Sequence, residues 1–346
     1  MIKKILFIIG FLLTMTKLYA QTELVGAGAS FPYPLYSKMF DEYYKIYNVK
    51  INYQSIGSGG GIRQLKAKTV DFGASDAILT DEQLKEFDGE ILHIPICLGA
   101  VVITYNLDVK QQIQFTPDLI ADIFLGKITK WNDERIKKVN LKLTLPDLPI
   151  TVVRRADGSG TTFVFTDYLC KVSSEWKERV GKGTSVNWPV GIAGKGNEGV
   201  TGLVKQTKGA IGYVEFTYAL QNKLPYGVIK NKSGYFINPT IESISEAGNI
   251  KLPEDMRVSI TDTESKNGYP ISAFTYILVY SNLSKTNDKM TYEKAKILAE
   301  LLWWMTHEGQ KYAKPLHYAP LSKEAQKNVE KLLKKLNFDG KILLTK

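Results

Sequence analysis

The stretch ELVGAGASFPYPLYSKMFDEYYKIYNVKINYQSIGSGGG, residues 23–61, contains the pattern that decides the fold. A short strand-like run ends in a glycine-rich turn, a helical segment follows, and an alternating strand then leads into a second glycine-rich turn. Another strand-like run at residues 70–74 repeats the pattern, so the alternation predicts an α/β fold with a mostly parallel sheet. In the helical segment, apolar residues recur at the spacing of one helix face, namely Leu35, Met39, Phe40, Tyr43 and Tyr47.

Two long apolar runs lie further along the chain. Residues 94–105 are typical of a strand that passes from one domain into another, and residues 271–280 are typical of the strand that returns. A chain of 346 residues is long enough for two domains of ordinary size. After the second run, helices are predicted to dominate to the C-terminus, including the stretch at residues 323–346.

The first twenty residues form a separate segment. A basic start with Lys3 and Lys4 precedes an apolar run at residues 5–13, and the small residue Ala20 stands before Gln21. This order is typical of a secretory signal peptide, and the run is too short to span a bilayer. We therefore expect cleavage near Ala20 and a periplasmic mature protein. A buried N-terminal helix is the alternative.

The composition narrows the chemistry of the protein. The formal net charge is +10, and basic residues are densest in a C-terminal segment that includes Lys327, Lys331 and Lys334. A solvated helix face explains this run better than nucleic-acid binding does. No two of the three histidines have metal-ligand spacing, so we expect neither a metal nor a cofactor. Cys97 and Cys170 either form one disulfide or remain two thiols.

Three glycine-rich turns each precede a helix and carry a hydroxyl residue near its start. The hydroxyl residues are Ser30 in the first turn, Ser58 in the second, and Ser159 with Thr161 in the third. Such a hydroxyl has an ordinary role, because it can cap the helix. A helix start also presents unpaired N–H groups and the positive end of the helix dipole, which together bind anions. We favour anion binding because three such turns recur in one chain.

Two arginines precede the third turn. Arg154 and Arg155 end a predicted strand, so their side chains face opposite sides and only one of them can point towards the turn. A guanidinium placed there can bind an oxyanion through two parallel hydrogen bonds, and Asp157 can hold it in position. A surface ion pair is the alternative interpretation of these residues.

Asp76 follows the strand-like run at residues 70–74 and is an unexpected neighbour for an anion. An ionised carboxylate only accepts hydrogen bonds, so it repels a fully ionised oxyanion such as sulfate. Phosphate keeps a proton at neutral pH and can donate it to the carboxylate, and arsenate can do the same. Asp76 therefore indicates a protonated oxyanion, and phosphate in particular.

Four motifs, taken in order, are similar to those of a known family. They are GAGASFP at residues 26–32, GSGG at 57–60, VDFGASD at 70–76 and VVRRADGSGT at 152–161. This ordered set resembles the phosphate-binding proteins of bacterial high-affinity phosphate ABC transporters. The resemblance extends from about Leu24 to the C-terminal helices.

The resemblance implies a set of phosphate-binding residues. Ser30 stands where many relatives have threonine, and the hydroxyl is kept. Arg155, rather than Arg154, is the implied charged donor, with Asp157 as its support. Asp76 is implied to accept the phosphate proton. The complete implied set is Ala29, Ser30, Phe31, Ser58, Asp76, Arg155, Ser159, Gly160 and Thr161.

The resemblance also implies a two-lobed type II periplasmic-binding-protein fold of the α/β class, with a ligand cleft between the domains and two crossover strands. Such proteins close about a hinge around their ligand. We expect a signal peptide at residues 1–20, domain I at 21–98 plus 271–346, and domain II at 99–270.

The implied function is high-affinity binding of inorganic phosphate outside the cytoplasmic membrane. We expect a monomer that delivers phosphate to the membrane permease of a phosphate ABC transporter and binds no nucleic acid. A binder of another oxyanion, such as arsenate or sulfate, or a phosphate sensor is the alternative. An enzyme is not expected, because a phosphatase needs an activated nucleophile or a metal, and the sequence has no motif for either.

Overall fold

The computed structural model describes residues 22–345, so the predicted signal peptide and its cleavage near Ala20 lie outside the described residues. Within that range no helix has the length and apolar character needed to cross a membrane. The strands are β1 (Glu23–Gly28), β2 (Lys50–Ser55), β3 (Phe72–Ser75), β4 (Ile91–Tyr105), β5 (Gln114–Phe115), β6 (Thr151–Arg155), β7 (Ile192–Gly194), β8 (Ala210–Glu215), β9 (Val228–Lys230), β10 (Phe236–Ile237), β11 (Ser272–Tyr280), β12 (Asn337–Phe338) and β13 (Lys341–Ile342).

Helices cover the sheet and connect its strands. The α-helices are α1 (Tyr33–Tyr47), α2 (Ser58–Lys66), α3 (Asp81–Leu84), α4 (Pro117–Phe124), α5 (Glu134–Val139), α6 (Gly160–Val172), α7 (Ser174–Arg179), α8 (Gly196–Gln206), α9 (Phe216–Gln221), α10 (Ile241–Ala247), α11 (Tyr292–Thr306) and α12 (Lys323–Leu333). Short 3-10 turns lie at Leu283–Lys285, Glu308–Tyr312 and Lys314–Leu316.

Eight strands form one sheet in the order β2-β1-β3-β11-β4-β8-β6-β7. Its outer pairs run parallel, as the alternation of strands and helices predicts. The pairs at its centre, which involve β3, β11, β4 and β8, run antiparallel. The two long apolar runs of the sequence supply β4 and β11, and every residue of both strands is buried.

Strand β4 joins the two halves of the sheet. Its residues 91–100 pair with β11, and its residues 101–105 pair with β8. Strand β11 begins opposite Ala100 and returns along the same part of β4. We call β2, β1, β3 and β11 with their covering elements the first half, and β8, β6 and β7 with theirs the second half. The division into domains I and II by residue number stays a prediction.

Each half has its own aromatic core. In the first half, Phe40 of α1 meets Phe72 of β3 with ring centroids 6.1 Å apart. In the second half, Phe165 of α6 stacks on Tyr213 of β8 at 4.5 Å. The predicted apolar face of α1 is buried except at Tyr47, which is 52% exposed because it is the last residue of the helix. These cores fix the starts of α1 and α6 relative to the sheet.

The C-terminal segment differs from the prediction. Helix α12 ends at Leu333, and residues 337–342 form a hairpin of β12 and β13. The turn residues Asp339 and Gly340 have positive φ angles of 48° and 83°. An Asp-Gly pair favours a two-residue hairpin turn of this kind, because both of its positions need positive φ. The prediction that helices dominate through residues 323–346 was therefore wrong beyond α12.

The two cysteines are free thiols in the structure. Cys97 is buried in β4, and Cys170 is partly buried near the end of α6. Burial raises the pKa of both thiols, which lowers their reactivity at neutral pH. Of the two alternatives drawn from the sequence, the structure has two separate thiols.

Helix α2 approaches β1 closely because its first turn has no side chains on the facing side. An ideal Cβ on Gly61 would lie 2.4 Å from the carbonyl oxygen of Ala27 and 2.5 Å from Cα of Gly28. Neither of these backbone atoms can move without shifting the strand. The start of α2 is therefore placed against β1 by the absence of a side chain at Gly61.

We predict that Gly61→Ala lowers the free energy of unfolding by about 2 kcal/mol, because overpacking against backbone forces the helix away from the strand. Gly202→Ala in α8 is the control, since nothing lies within 4 Å of the added Cβ. We expect this control to raise stability by about 0.5 to 1 kcal/mol through its helix propensity. Urea unfolding of both variants measures the difference, and equal stability of the two would contradict the prediction.

Candidate functional site

The three glycine-rich helix starts meet where the two halves of the sheet face each other. The first half contributes residues 29–31, Ser58 and Asp76, and the second half contributes Arg155 with residues 159–161. All nine predicted phosphate-binding residues are buried. An ideal Cβ on Gly160 would lie 2.4 Å from both Asp76 Oδ2 and Ser58 Oγ, so residues from the two halves come into direct proximity.

Backbone contacts also join the halves at this point. The N–H of Gly59, in the first turn of α2, donates to the carbonyl oxygen of Gly158 at 2.8 Å. The Cα atoms of these two glycines face each other, since a Cβ on Gly158 would lie 3.2 Å from Cα of Gly59. The glycines therefore allow two helix starts to approach each other from opposite sides.

Helix capping explains only one of the site hydroxyls. Ser159 is the N-cap of α6, and its Oγ accepts from the N–H of Thr162 at 3.0 Å. The N-cap residues of α1 and α2 are Pro32 and Gly57, and neither helix has a side-chain cap. Ser30 and Ser58 are therefore not capping residues, and the ordinary role considered for them does not apply.

The four site hydroxyls share one hydrogen-bonding pattern. Each of them accepts at least one hydrogen bond from an N–H group. Among residues 22–345, the hydroxyls of Ser30, Ser159 and Thr161 donate no hydrogen bond, whereas the Ser58 hydroxyl lies beside the Asp76 carboxyl and lowers its pKa. The first three hydroxyls are therefore free to donate to a ligand, and Ser58 can donate to a ligand or to Asp76. The N–H partners are Asn197 for Ser30, Asp76 for Ser58, Thr162 for Ser159, and Asn197 with Arg155 for Thr161.

Asp76 provides one unpaired acceptor among these donors. Its Oδ1 accepts from the hydroxyl of Thr275 at 2.7 Å, whereas its buried Oδ2 has no hydrogen-bond partner among the described residues. Burial raises the pKa of Asp76 to about 7, against the opposing effects of Thr275, the Arg155 charge and Ser58. A buried oxygen without a partner is costly, which indicates that a ligand atom completes it.

Arg155 is the arginine that faces the site. Its side chain is 1% exposed, and Nε and Nη2 donate to the two carboxylate oxygens of Asp157 at 2.8 and 2.5 Å. Nη1 donates to Thr161 Oγ1 at 3.3 Å. A guanidinium has five N–H groups, so two remain after these three contacts with described residues. The neighbouring Arg154 is partly exposed, and its Nη1 donates to the Arg155 carbonyl.

Asp157 holds Arg155 in this position. Its Oδ1 also accepts from the N–H of Gly196 at 3.0 Å. Burial acts to raise the pKa of Asp157, but the hydrogen bonds and charge of Arg155 together with the Gly196 N–H lower it below its usual value. The carboxylate therefore stays ionised, and the pair fixes the orientation of the guanidinium.

Three tyrosines fix the loop at residues 29–31. The hydroxyl groups of Tyr53, Tyr218 and Tyr318 donate to the carbonyl oxygens of residues 29, 30 and 31, each at 2.7 Å. Burial raises the pKa of all three phenols, so they stay protonated and can donate. A peptide is planar, so a held carbonyl also sets the direction of the following N–H. The N–H groups of Ser30 and Phe31 are thereby oriented before any ligand arrives, whereas the N–H of Ala29 donates to the Ala74 carbonyl at 3.0 Å.

Several residues of the site were not predicted from the sequence. Thr275 lies in the apolar strand β11, where a single hydroxyl residue was the only signal. Asn197 lies at the start of α8 and contacts Ser30 and Thr161. It belongs to a fourth glycine-rich turn, at residues 191–199, and this repeat of the pattern was a usable signal. The three tyrosines gave no signal, because aromatic residues are ordinary core residues.

Comparisons with known proteins identify the family of the chain. Residues 16–307 match the PBP superfamily domain. The phosphate-binding protein PstS of Xylella fastidiosa is 45% identical over 313 residues, which are 89% of this chain and 84% of the relative. The chain therefore belongs to the PBP superfamily and to the PstS family.

Solved structures are similar in fold to this PstS family member. A high affinity periplasmic phosphate-binding protein bound with phosphate aligns with a TM-score of 0.71 and 18% identity, over 90% of this chain and 93% of that one. An ABC-type phosphate transport receptor from Vibrio cholerae aligns with a TM-score of 0.56 and 17% identity, over 86% and 100% of the two chains. The predicted fold class and the family resemblance are confirmed.

A buried carboxyl of this PstS family member lies beside the loop at residues 29–31. The Tyr318 hydroxyl is 2.7 Å from the Phe31 carbonyl oxygen and 3.0 Å from Glu215 Oε2. The hydroxyl has one hydrogen, and a carbonyl can only accept, so both contacts are hydrogen bonds when Glu215 carries a proton. Burial raises the pKa of Glu215 to about 8, against the opposing effects of its contacts with Thr217 and Tyr318. Both observations indicate a neutral Glu215.

We predict that Glu215→Gln stabilises the phosphate-free protein increasingly as the pH rises from 5 to 8. The folded pKa of Glu215 is raised, so the folded state holds a proton that the unfolded chain has lost. Stability of the wild type therefore falls as the pH rises towards 8, and glutamine removes this contribution. Urea unfolding at several pH values measures the difference, with the exposed Glu254→Gln as control. A difference that does not change with pH would contradict the prediction.

Proposed function

We propose that this chain is the phosphate-binding component of an ABC transporter for phosphate. It binds inorganic phosphate outside the cytoplasmic membrane and delivers it to a membrane permease. The relative with 45% identity is named phosphate-binding protein PstS, and a protein of similar fold is described as a phosphate transport receptor of the ABC type. The proposed phosphate-binding residues are Ala29, Ser30, Phe31, Ser58, Asp76, Arg155, Ser159, Gly160 and Thr161.

One observation carries the choice of ligand. Among the described residues of the site, which offer many donors, Asp76 Oδ2 is the buried acceptor without a partner. A protonated phosphate pairs with the donors and with this acceptor, because its oxygens accept from the donors while its P–OH donates to the carboxylate. Sulfate has no hydrogen to donate and would face an ionised oxygen at close range, which is unfavourable by several kcal/mol.

Closure of the two halves is the proposed binding mechanism. Transfer of an anion from water is costly unless protein donors replace its hydration shell. The donors come from both halves, so the full set exists only when the halves are closed. Phosphate therefore favours the closed state, and we propose that the permease recognises that state. Domains I and II, as divided above, are the proposed moving parts.

Binding without catalysis fits the residues of the site. None of the four hydroxyls has a histidine within hydrogen-bond distance among residues 22–345, and a neighbouring histidine is the usual base that activates a serine nucleophile. The hydrogen bonds that the four hydroxyls accept come from N–H groups, which do not take up a proton. We propose that the protein is not an enzyme. We also propose that it acts as a monomer without nucleic acid, and that the segment ending near Ala20 directs its export to the periplasm.

We predict that the wild type binds phosphate and arsenate but not sulfate near pH 8, and that Asp76→Asn gains sulfate affinity by at least about 10-fold. The gain arises because the variant loses a like-charge contact worth more than about 1.4 kcal/mol. Isothermal titration of the mature protein with the three anions measures these affinities. In the wild type, sulfate binding should rise as the pH falls below about 7, where Asp76 gains a proton.

Asp71→Asn is the matched control for this experiment. Asp71 is also buried, but it pairs with Lys294 at 2.8 Å and with the N–H of Val25. We expect this variant to keep the wild-type selectivity. Unchanged discrimination against sulfate in Asp76→Asn would show that the carboxylate does not select the ligand. Absence of phosphate binding by the wild type would overturn the proposed function itself.

We predict that Arg155→Ala weakens phosphate binding by about 100-fold, because charge-assisted hydrogen bonds to the anion are lost. Arg154→Ala should weaken it by less than about 3-fold, since its side chain faces away from the site. The two variants lose the same formal charge, so the comparison cancels any long-range attraction of the anion. Equal losses in isothermal titration would contradict the assignment of Arg155.

A further inference from the structure

Asn197 joins the two halves of the site through its side chain. It lies in the first turn of α8 in the second half and is fully buried. Its Nδ2 donates to Ser30 Oγ at 2.9 Å and to Thr161 Oγ1 at 3.1 Å. Its backbone N–H also donates to Ser30 Oγ, at 3.2 Å. One amide group therefore contacts a proposed phosphate donor from each half.

The orientation of this amide follows from its other contact. The backbone N–H of Glu215 donates to Asn197 Oδ1 at 2.8 Å. A flipped amide would place NH2 against this N–H, so two donors would face each other. The oxygen must therefore point to Glu215 and the nitrogen to the hydroxyls. Both hydrogens on Nδ2 are used by Ser30 and Thr161, which leaves none for a ligand.

These contacts decide the role of the two hydroxyls. A hydroxyl group has one hydrogen and two lone pairs, and it can serve as donor or acceptor. Ser30 Oγ receives two N–H groups from Asn197. Thr161 Oγ1 receives one from Asn197 and one from Arg155. With both lone pairs occupied, each hydroxyl can only donate, which is the role that an anion requires.

We propose that Asn197 is a positioning residue that makes Ser30 and Thr161 donate to phosphate and that holds the two halves closed. The proposal rests on the proposed function. Ser30 belongs to the first half and Asn197 to the second, so their contacts exist only when the halves meet. An interaction made only in the closed state favours that state and tightens binding of a ligand that needs it.

The test compares Asn197→Asp and Asn197→Ala by isothermal titration with inorganic phosphate. An ionised aspartate only accepts hydrogen bonds, so it draws the hydroxyl hydrogens away from the ligand and adds a negative charge. We expect Kd to rise at least about 100-fold at pH 8 in the aspartate variant. The alanine variant leaves the hydroxyls free to rotate, and we expect a rise of about 10-fold.

The pH dependence separates positioning from a loss of structure. Burial raises the pKa of the introduced carboxyl, and its protonated form carries no charge and can donate one of the two hydrogens that the amide donates. The Kd of Asn197→Asp divided by the wild-type Kd should therefore fall by at least about 10-fold from pH 8 to pH 5.5. This change corresponds to about 1.4 kcal/mol of binding free energy. The ratio for Asn197→Ala should stay constant. A merely structural role would give both variants a ratio independent of pH.

Other charged and titratable groups face this position and are common to all the proteins compared. They are Arg155 at the end of β6, Asp157 in the turn after it, Glu215 at the end of β8, Glu198 on α8 itself, Tyr218 from α9, Tyr318, and Asp76 after β3. Since each protein is compared with the wild type at the same pH, their titration and that of phosphate cancel to first order in the ratio.

Asn231→Asp is the matched control. Asn231 is also a buried asparagine, and its Nδ2 donates to backbone carbonyls at residues 265, 266 and 268, away from the site. We expect the Kd of this variant for phosphate to stay within about 3-fold of the wild-type value. Thermal unfolding without phosphate establishes that each variant is folded, and the alanine variant carries the test if the aspartate variant does not fold.

Two outcomes overturn the inference alone. The first is a Kd for Asn197→Asp within about 3-fold of the wild type at pH 8, and the second is a ratio that does not change with pH. A wild type without phosphate affinity would overturn the proposed function and the inference with it. These outcomes are distinguishable, because the wild-type titration is read independently of every variant.

Discussion

Desolvation of an anion is the constraint on which the rest of the structure depends. A buried oxyanion loses its hydration shell, and the protein must replace those hydrogen bonds without adding flexible charges that it cannot keep in place. Here the buried guanidinium of Arg155 is already paired with Asp157, so the pair adds little net charge. Most of the donors are therefore neutral hydroxyl and N–H groups at the starts of α1, α2 and α6. Glycines at these starts let the donors converge.

Neutral donors are useful only when they point in the right direction, and buried contacts provide that direction. Tyrosines hold three consecutive carbonyls of the loop at residues 29–31, and N–H groups occupy the lone pairs of the site hydroxyls. Glu215 helps to orient this loop as well. Its carboxyl proton donates to the Tyr318 hydroxyl, whose own hydrogen then goes to the Phe31 carbonyl. The arrangement of the site therefore depends mainly on which atoms donate hydrogen bonds and which accept them. It depends less on attraction between charges.

The parts of the fold that the sequence predicted are those encoded by local patterns. The glycine-rich turns, the helix face of α1 and the apolar runs of β4 and β11 each depend on neighbours in the chain. The hairpin of β12 and β13 was local too, but its Asp339-Gly340 signal was outweighed by a lysine-rich helical pattern. The roles of the three tyrosines could not be predicted from the sequence, because they depend on contacts across 24 to 287 residues of chain. Asn197 had a local signal in the fourth glycine-rich turn, but its contact with Ser30 spans 167 residues.

The hydrogen-bond donors of the site and its unpaired acceptor, Asp76 Oδ2, contribute differently to phosphate recognition. A set of inward-pointing hydrogens suits any tetrahedral oxyanion of the right size, so it contributes affinity with little discrimination. Discrimination requires an atom that one ligand satisfies and another does not, and Asp76 Oδ2 is the buried atom of this kind. Its raised pKa, about 7, means that the carboxyl and a phosphate compete for one proton near neutrality. Whichever group holds that proton, the contact is a hydrogen bond. With sulfate the proton must come from Asp76, so rejection is strongest where the carboxyl is ionised.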